Sequence, residues 1–206
     1  MAILAAIEDQ PRSLAGLIEV TGFSRATSHR LAGALERHGV LRRDAEGRYA
    51  LGLRLVALGR AAVGAEPLRE AARPVLEALR DETGESVQLY VREGDRRVCI
   101  ESLESPHGLR TIVPLGASLT LEAGSAAKVL RGEGDVGTRG WAESVGEREA
   151  GVASVSAPLI DRDGQVRAAV SVSGPIERTG RRPGRRYAEA VMQAARRIEE
   201  AALLRT

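Results

Sequence analysis

Short polar and cationic side chains cluster in the stretch from Ser24 to Arg30, and three further arginines follow close behind it. Hydroxyl and guanidinium groups hydrogen-bond the base edges and phosphate oxygens of double-stranded DNA. The candidate DNA-binding residues share this chemistry, and they are Ser24, Arg25, Thr27, Ser28, His29, Arg30, Arg42, Arg43 and Arg48. Their types and spacing favour contact with a nucleic acid, provided that the local structure brings them to one surface.

Two predicted helices joined by a tight turn carry the first six of these residues. Ser13 is a suitable N-cap for a helix from about Leu14 to Val20. Gly22 can adopt the positive φ angle that a tight turn requires. Ser24 is the predicted cap of a second helix that continues to about His38.

The second helix is predicted to present a polar face outward. Its apolar residues Leu31, Ala34 and Leu35 recur at helical spacing, so we expect them to face the core. The residues expected on the opposite face are Arg25, Thr27, Ser28, His29 and Arg30. A helix with short polar side chains and arginines on its outer face suits a DNA major groove.

A basic hairpin is predicted after the second helix. Val40-Leu41 and Tyr49-Ala50-Leu51 are its strands, and Asp44–Gly47 is the turn between them. Arginines at positions 42, 43 and 48 flank this turn, where a wing meets phosphates or a minor groove. The alternative interpretation of the same pattern is a small helical core with a solvated, arginine-rich rim.

The positive charge of the chain is concentrated in this part. Residues 23–60 contain eight arginines and three acidic residues, a balance of +5, whereas the whole chain of 206 residues carries +2. A local excess of positive charge is the electrostatic signature of a DNA contact. The charge distribution therefore supports the DNA-binding interpretation of the helices and the hairpin.

Catalytic and metal-binding chemistry is poorly represented in the sequence. Cys99 and His107 could form a nucleophile and a base, but Cys99 lies in a predicted buried strand and no third group orients His107. One cysteine excludes an intrachain disulfide, and three scattered histidines do not favour structural zinc. We therefore predict no catalytic residue, no metal site and no cofactor, and we do not expect an enzyme.

No run of 18 apolar residues and no signal peptide is found in the sequence, which favours a cytoplasmic protein without a membrane partner. Beyond the hairpin, helical and strand patterns mix, and this mixture predicts an α+β fold. The predicted helices are Leu53–Val63, Pro67–Glu82, 121 or 122 to Leu130, and 185 or 186 to Leu204. The predicted strands are 85–91, 97–101, Leu109–Val113, Ala153–Leu159 and Val166–Val172.

The stretch GFSRATSHRLAGALERHGVLRRDAEGRYALGLRL resembles the DNA-binding half of IclR-type bacterial transcription regulators. The segments GSAAKVL and GWAESVGEREAGVASVSAPLIDRDGQVRAAVSVSGP resemble the effector-binding half of that family. The resemblance implies a winged helix-turn-helix at 1–52, a linker helix at 53–66, and a GAF-like α+β effector-binding and oligomerisation domain at 67–206. It also implies a transcription regulator whose binding to an operator responds to a small metabolite.

The resemblance also implies where a small, carboxylate-like effector binds. In the family the effector lies between the sheet and the loop that leads into the GSAAKVL helix, whose N-terminus offers backbone N–H groups to an anion. Alternating serine and valine residues in two strands would supply hydroxyls to the same site. The implied effector-binding residues are Gly116, Ser118, Leu119, Thr120, Leu121, Ser125, Ser154, Ser156, Ser171 and Ser173. Small residues in these strands could instead serve only tight packing.

The sequence departs from the family pattern in three places. Members usually carry additional helical residues between GSAAKVL and GWAES, so we expect a break in the chain within or beside Arg131–Gly140. Members usually have a histidine in the loop before the GSAAKVL helix, where this chain has Thr120 or Leu121. The family's first helix starts earlier than Met1, so further residues are expected before it.

The expected partners are double-stranded DNA with a palindromic operator, a small-molecule effector related to an organic acid or amino acid, and a second copy of the chain in a homodimer or tetramer. Two alternatives remain open. One is a ligand-independent DNA-binding protein whose C-terminal domain only oligomerises. The other is a small metabolic enzyme with an accessory DNA-binding domain, for which the sequence shows no catalytic constellation.

Overall fold

The computed structural model describes residues 1–64, 66–133 and 136–203. The chain divides into two compact units, Met1–Ala62 and Val63–Thr206. Each unit has a hydrophobic core of its own.

Unit 1 contains three helices, a two-stranded antiparallel hairpin and the beginning of a fourth helix. In chain order these elements are α1 (Ala2–Ala6), α2 (Leu14–Thr21), α3 (Arg25–Arg37), β1 (Leu41–Arg43), β2 (Tyr49–Leu51) and α4 (Arg54–Gly64). The core consists of Ile3, Ala6, Ile7, Leu17, Ala32, Leu41 and Tyr49. Phe23, in the turn between α2 and α3, packs against this core.

The predicted helix caps in unit 1 are confirmed. The Ser13 hydroxyl accepts the backbone N–H of Gly16 at 3.2 Å, and the Ser24 hydroxyl accepts that of Thr27 at 3.2 Å. Gly22 ends α2 with a φ of 69°, a left-handed conformation that costs a glycine little. The turn between α2 and α3 therefore follows from three local residues.

The rotation of α3 about its axis differs from the prediction. Ser28 and Ala32 are fully buried, and Leu35 packs beside them, whereas Leu31 is 37% exposed. Positions 28, 32 and 35 form one helical stripe, and the small side chains at 28 and 32 allow close packing against the core. The prediction that Ser28 faces outward and Leu31 inward was wrong, because residue size at the packed face outweighed hydrophobicity.

Unit 2 combines one sheet with helices on both of its faces. Its helices are α5 (Pro67–Thr83), α6 (Ser125–Arg131), α7 (Val136–Arg139), α8 (Ile176–Thr179) and α9 (Gly184–Leu203). Its strands are β3 (Ser86–Glu93), β4 (Arg96–Leu103), β5 (Ser118–Thr120), β6 (Ala142–Val145), β7 (Val152–Ile160) and β8 (Val166–Pro175). The strands form an antiparallel sheet in the order β5-β4-β3-β8-β7-β6.

The two faces of this sheet have different partners. Apolar residues of β3, β7 and β8, among them Leu89, Val155 and Val170, pack against α5 and α9. On the other face, Tyr90 and Cys99 form a second core with α6. Both faces of the central strands are therefore covered, which explains why β3 is buried at both odd and even positions.

An irregularity in the pairing of β3 with β4 decides which β4 residues face each side. Leu89 lies opposite Glu101, but Tyr90 lies opposite Cys99, so Ile100 is an extra residue in β4. Glu101 therefore lies on the face that packs against α5, whereas Cys99 lies on the face that packs against α6. Arg97, two residues before Cys99, shares the α6 face.

Several predicted boundaries in unit 2 need correction. Leu109–Val113 is not a strand, because this segment takes no part in the strand pairing and the sheet edge is formed instead by β5. The helix predicted from 121 or 122 begins at Ser125, after Gly124 with a φ of 101°. Strand β6 and helix α8 were not predicted. The predicted end of α9 at Leu204 lies outside the described residues.

The short segment between α6 and β6 was expected to contain a break in the chain. Helix α6 ends at Arg131 and is capped by Gly132, and α7 begins at Val136. The break was expected within or beside Arg131–Gly140, and residues 134–135 of that range lie outside the described residues.

Gly52 is a position where unit 1 requires the absence of a side chain. A Cβ atom there would lie 2.1 Å from the carbonyl oxygen of Gly39 and 2.9 Å from the carbonyl carbon of Val40. Because both obstacles are backbone atoms, we expect Gly52→Ala to lower the free energy of unfolding by more than about 2 kcal/mol. Chemical denaturation measures this, with Gly59→Ala in α4 as the control, since a Cβ there meets no atom within 4 Å. Equal stability of the two variants would contradict the close approach.

Candidate DNA-binding surface and ligand cavity

The outer face of α3 presents three basic side chains to solvent. Arg25, His29 and Arg30 are exposed, and no hydrogen bond or ion pair involving them is found in the described part of the chain. Ser24 is exposed as well, but its hydroxyl already bonds the backbone and hydroxyl of Thr27. The free cations are therefore Arg25 and Arg30, whereas Ser24 and Thr27 shape the start of the helix.

The predicted wing arginines differ in their hydrogen bonds and ion pairs. Arg43 bonds Glu36 at 3.3 Å and the Gly47 carbonyl at 2.7 Å, and its guanidinium lies 3.6 Å above the ring of Tyr49. These contacts hold the hairpin against α3. Arg42, one residue earlier, is exposed and has no ionic or hydrogen-bonded partner among residues 1–64, 66–133 and 136–203.

Arg48 belongs to the turn of the wing. Its guanidinium donates to Asp44 at 2.7 Å and to Glu46 at 3.0 Å, and the hydrogen bond to Asp44 raises the pKa of the guanidinium. Asp44 also accepts the backbone N–H groups of Glu46 and Arg48, which closes the turn. Arg42 is thus the wing arginine left available to a phosphate, whereas Arg43 and Arg48 build the wing itself.

Unit 2 contains a small polar cavity between its sheet and α6. The cavity volume is about 30 Å³. Residues of β3, β4, β6, β7, β8 and α6 line it together with the loop before β7. Its polar lining residues are Gln88, Tyr90, Arg97, Ser125, Ser144, Arg148, Glu149, Ser154, Ser171 and Ser173.

Arg97 is the buried cation of this cavity. It is 3% exposed, and it donates to the carbonyl oxygens of Thr120 and Ala123, while its Nε has no partner among the described residues. Burial lowers the pKa of the guanidinium, although an arginine remains protonated at neutral pH. The guanidinium also lies 5.6 Å from the ring centre of Tyr90.

Neighbouring strands supply amide and hydroxyl groups beside Arg97. Gln88 on β3 is 1% exposed, accepts the Ser173 hydroxyl at 2.9 Å, and has an Nε2 without a partner in the part of the chain described. Gln88 pairs with Ser171, which in turn pairs with Ser156, so polar residues of three strands lie side by side. The cavity floor is therefore a continuous row of hydrogen-bonding groups.

Ser125 connects the floor to α6. Its hydroxyl lies 2.7 Å from the hydroxyls of both Ser154 and Ser156. The N–H of Gly124, just before the helix, is occupied by Glu147, whose Oε2 accepts it at 3.3 Å. Of the backbone N–H groups that this helix start was expected to offer to an anion, that of Gly124 is therefore already bound by a carboxylate of the chain.

Glu147 also bonds Lys128 of α6 at 2.5 Å. Burial acts to raise the pKa of this carboxyl, but the hydrogen bonds from Lys128 and Gly124 outweigh it and lower the pKa. Arg148 and Glu149, which follow Glu147, line the cavity mouth and pair with each other at 3.2 Å. The loop before β7 is thereby fixed over the cavity.

The predicted effector residues fall into two groups. Ser125, Ser154, Ser171 and Ser173 line the cavity, and Ser156 lies directly behind Ser125. The remaining predicted residues do not line it, and these are Gly116, Ser118, Leu119, Thr120 and Leu121. They form β5 and its flanks at the edge of the sheet, where the Thr120 carbonyl alone among their polar groups bonds Arg97.

Sequence reasoning missed the residues that give the cavity its charge and shape, namely Gln88, Tyr90 and Arg97. The alternation of Gln88 and Tyr90 with Leu89 is visible in the sequence and could have placed them on one face. The extra residue in β4 conceals Arg97, because simple alternation puts Arg97 and Glu101 on the same face.

The described residues offer little support for other site types. No group of three or more His, Cys, Asp or Glu side chains that could hold a metal is found among them. Cys99 is fully buried, whereas His107 is exposed, which argues against their acting as a nucleophile and its base. No helix in the described part of the chain has the length and apolar character needed to cross a bilayer.

Comparison with models of protein families identifies the family to which the chain belongs. The model of the IclR helix-turn-helix domain matches residues 1–45. The model of the bacterial transcriptional regulator IclR C-terminal region matches residues 60–133 and 134–200. The chain belongs to the IclR family. The second match is divided between residues 133 and 134, within the range Arg131–Gly140 where a break in the chain was expected.

Individual IclR-family relatives match most of the chain. The HTH-type transcriptional regulator KipR of Bacillus subtilis is 28% identical over 208 aligned positions, covering 84% of this chain and 83% of its own length. The crystal structure of an IclR family transcriptional regulator from Brucella abortus superimposes with a TM-score of 0.84 at 20% identity, covering 97% and 89% of the two chains. The chain is thus similar to DNA-binding transcription regulators along most of its length.

A third relative has a bound ligand. The crystal structure of an IclR homolog from Microbacterium hydrocarbonoxydans, complexed with 4-hydroxybenzoate, matches with a TM-score of 0.73 at 20% identity. The match covers 98% of this chain and 97% of that one. At this identity the likeness establishes the shared IclR fold.

The buried Ser28 generates a stability prediction within the IclR helix-turn-helix. Its hydroxyl is fully buried and has no hydrogen-bond partner in the described part of the chain. Removing an unsatisfied buried hydroxyl eliminates its desolvation cost, so we expect Ser28→Ala to raise the free energy of unfolding by about 1 kcal/mol. Urea denaturation measures the change, and DNA affinity should stay within about twofold. A marked loss of DNA affinity with unchanged stability would contradict the burial of Ser28 and support its assignment as a DNA-binding residue.

Cys99 generates a prediction about reactivity. Burial raises the pKa of its thiol to about 12, and the thiol donates to the Glu101 carbonyl. Only the thiolate is nucleophilic, and it becomes populated as the pH rises toward that pKa, so we expect iodoacetamide at about pH 8 to leave the folded protein unmodified. Mass spectrometry measures the modification, with the protein in guanidinium chloride as the positive control. Modification of the folded protein at the rate of a free thiol would contradict the burial.

Proposed function

We propose that this protein is a transcription regulator whose affinity for a palindromic operator changes when a small organic acid or amino-acid-related metabolite occupies the cavity of unit 2. Membership of the IclR family supports DNA binding, and it favours a cytoplasmic location. The observation that carries the effector role is the cavity itself, which has a polar lining that includes Arg97 and Gln88, two residues that each have a polar atom without a partner among the described residues. The homolog with bound 4-hydroxybenzoate supports a small-molecule effector.

The DNA-binding role is assigned to the exposed face of α3 and to the wing. Arg25, His29 and Arg30 would enter a major groove, and Arg42 would bind a phosphate. A homodimer would place two such helices on the half-sites of a palindrome, roughly one helical turn apart. Exposed apolar side chains at Leu53, Val56 and Leu58 provide surface that a second copy could bury.

The rival proposal is a DNA-binding protein whose C-terminal domain only oligomerises. Its specific support is a second set of exposed apolar side chains, Leu109, Ile112 and Leu115, in the segment between β4 and β5. Fluorescence anisotropy with DNA from upstream of the protein's own gene, across a salt series and with a metabolite panel, separates the two. A metabolite that changes the DNA affinity supports the effector role, whereas ligand-independent affinity across an organic-acid and amino-acid panel favours the rival.

Arg30 tests the DNA-binding surface. We expect Arg30→Ala to weaken DNA binding by about tenfold or more, because an arginine in such a surface contributes about 1–3 kcal/mol. Arg80→Ala is the control, since Arg80 is also a helical arginine but lies half-buried on α5 and pairs with Asp81. Anisotropy gives both affinities, and thermal unfolding checks the folding of both variants. Equal DNA affinity of the two variants would contradict the assignment of α3 to the DNA-binding surface.

A further inference from the structure

We infer that unit 2 has a DNA-binding surface of its own, a patch of four arginines that binds phosphates of the duplex without reading its sequence. This arginine patch, at the start of α9, consists of Arg181, Arg182, Arg185 and Arg186. The inference rests on the proposed function, which makes DNA a partner of the chain. It goes further by assigning a DNA contact to unit 2, whereas the proposed function assigns DNA binding to α3 and the wing of unit 1.

Positive charge is concentrated in one segment of unit 2. Unit 1 contains nine arginines and six acidic residues, a balance of +3, so unit 2 carries −1 of the net charge of +2. Residues 178–186 contain five arginines and no acidic residue, so the remainder of unit 2 carries −6. A basic segment on an otherwise acidic unit indicates an anionic partner for that segment.

The side chains of the arginine patch are exposed and lack carboxylate partners in the described part of the chain. Arg186 donates to the carbonyl oxygen of Arg178 at 2.9 Å, and its guanidinium lies 5.2 Å from the ring centre of Tyr187. The side chains of the other three patch arginines make no hydrogen bond or ion pair with any described residue. Arginines elsewhere in unit 2 do have carboxylate partners, as Arg110 has in Glu104 at 2.6 Å.

The backbone beneath the arginine patch is fixed by buried residues. Pro183 and Gly184, which separate the two pairs of arginines, are both buried. Gly184 lies under the ring of Trp141, where a Cβ atom would collide with the ring, and its N–H donates to Glu143 at 2.8 Å. The exposed arginines therefore extend from a preorganised segment, which reduces the conformational entropy lost on binding.

The arginine side chains form the proposed surface, because the backbone N–H of Gly184 at the start of α9 is already bound by Glu143. Cations in the first turn of a helix lie at the positive end of its dipole, and α9 has no acidic residue in that turn to compensate them. Four like charges within six residues also repel one another. The stability of the free protein therefore does not explain these residues, whereas binding of an anion does.

Duplex DNA is the anionic partner that the arginine patch fits. A guanidinium donates two parallel hydrogen bonds to a phosphate. Each strand of B-DNA has one phosphate per about 3.4 Å of axis, so arginines within six consecutive residues can reach several phosphates. Unit 1 matches a DNA-binding domain, and once it binds, the chain holds unit 2 near the same duplex at a high effective concentration. Individually weak phosphate contacts are then sufficient to add affinity.

Salt-dependent DNA binding of the full chain tests the arginine patch. Fluorescence anisotropy measures the affinity for DNA from upstream of the protein's own gene, and for an unrelated duplex of equal length, at several salt concentrations. We expect the double variant Arg181→Gln, Arg182→Gln to bind both duplexes about fivefold or more weakly. The slope of log affinity against log salt should become shallower by about 1–2, because each lost phosphate contact removes about 0.9.

Two further double variants are the controls. Arg196→Gln, Arg197→Gln removes an exposed arginine pair from the same helix, where two nearby acidic residues balance the charge, and should leave affinity and slope unchanged. Arg181→Lys, Arg182→Lys retains the charge and should retain the slope, because an ammonium group also neutralises a phosphate. Thermal unfolding of all three double variants checks that they fold.

Two results would overturn the arginine patch. Equal affinity and salt slope in the Arg181→Gln, Arg182→Gln protein and in the Arg196→Gln, Arg197→Gln control would exclude a phosphate contact and favour an acidic protein as the partner. A loss of affinity confined to the upstream DNA would also overturn it, because phosphate contacts have no sequence information.

The inference and the proposed function fail in different ways. Specific binding to the upstream DNA with an unchanged slope in the glutamine variant of the patch would support the proposed function and overturn the inference. A shallower slope in that variant, with no preference of the unmodified protein for its upstream DNA, would support the inference and contradict the proposed regulatory role.

Discussion

The sheet of unit 2 contains a buried guanidinium, that of Arg97, which has no carboxylate partner among the described residues. Buried charges in proteins are costly unless they are paired, and Glu85 and Glu101 each pair with arginines. Arg97 has no ion pair among the described residues and donates instead to the carbonyl oxygens of Thr120 and Ala123. The extra residue at Ile100 separates Arg97 from Glu101 onto opposite faces of β4. One strand thereby connects α5, through Glu101, with the cavity, through Arg97. The absence of an ion pair between Arg97 and Glu101 therefore follows from the way β3 pairs with β4.

Some arginines of unit 1 stabilise the wing, whereas others are exposed and available to a partner. Arg43 and Arg48 hold the wing through Glu36, Asp44 and the ring of Tyr49. Because those charges are already engaged, the freely available positive charge of this surface comes from the outer face of α3 and from Arg42. A count of arginines overstates the DNA-binding surface, since surface ion pairs within the wing neutralise part of it.

Local signals in the sequence predicted much of the fold. Three kinds of local signal were recognised, namely the serine caps, the glycines at helix ends and the period-two pattern of β3. Each acts within a few residues, so it can be predicted without tertiary information. The failures have tertiary causes. Ser28 is buried because the helices pack on small residues, and Gly116–Leu121 lies at the sheet edge because β5 pairs with β4 there. The cavity serines were found through the family resemblance and strand alternation, whereas Arg97 was hidden by the irregularity in β4.

The most direct test of the regulatory account is fluorescence anisotropy of the full chain with DNA from upstream of its own gene, in the absence and presence of a panel of small organic acids and amino acids. The account predicts specific binding that weakens steeply with salt, with an affinity that changes by about fivefold or more when an effector is present. Binding without sequence preference, or an affinity that no member of the panel changes, would contradict the account.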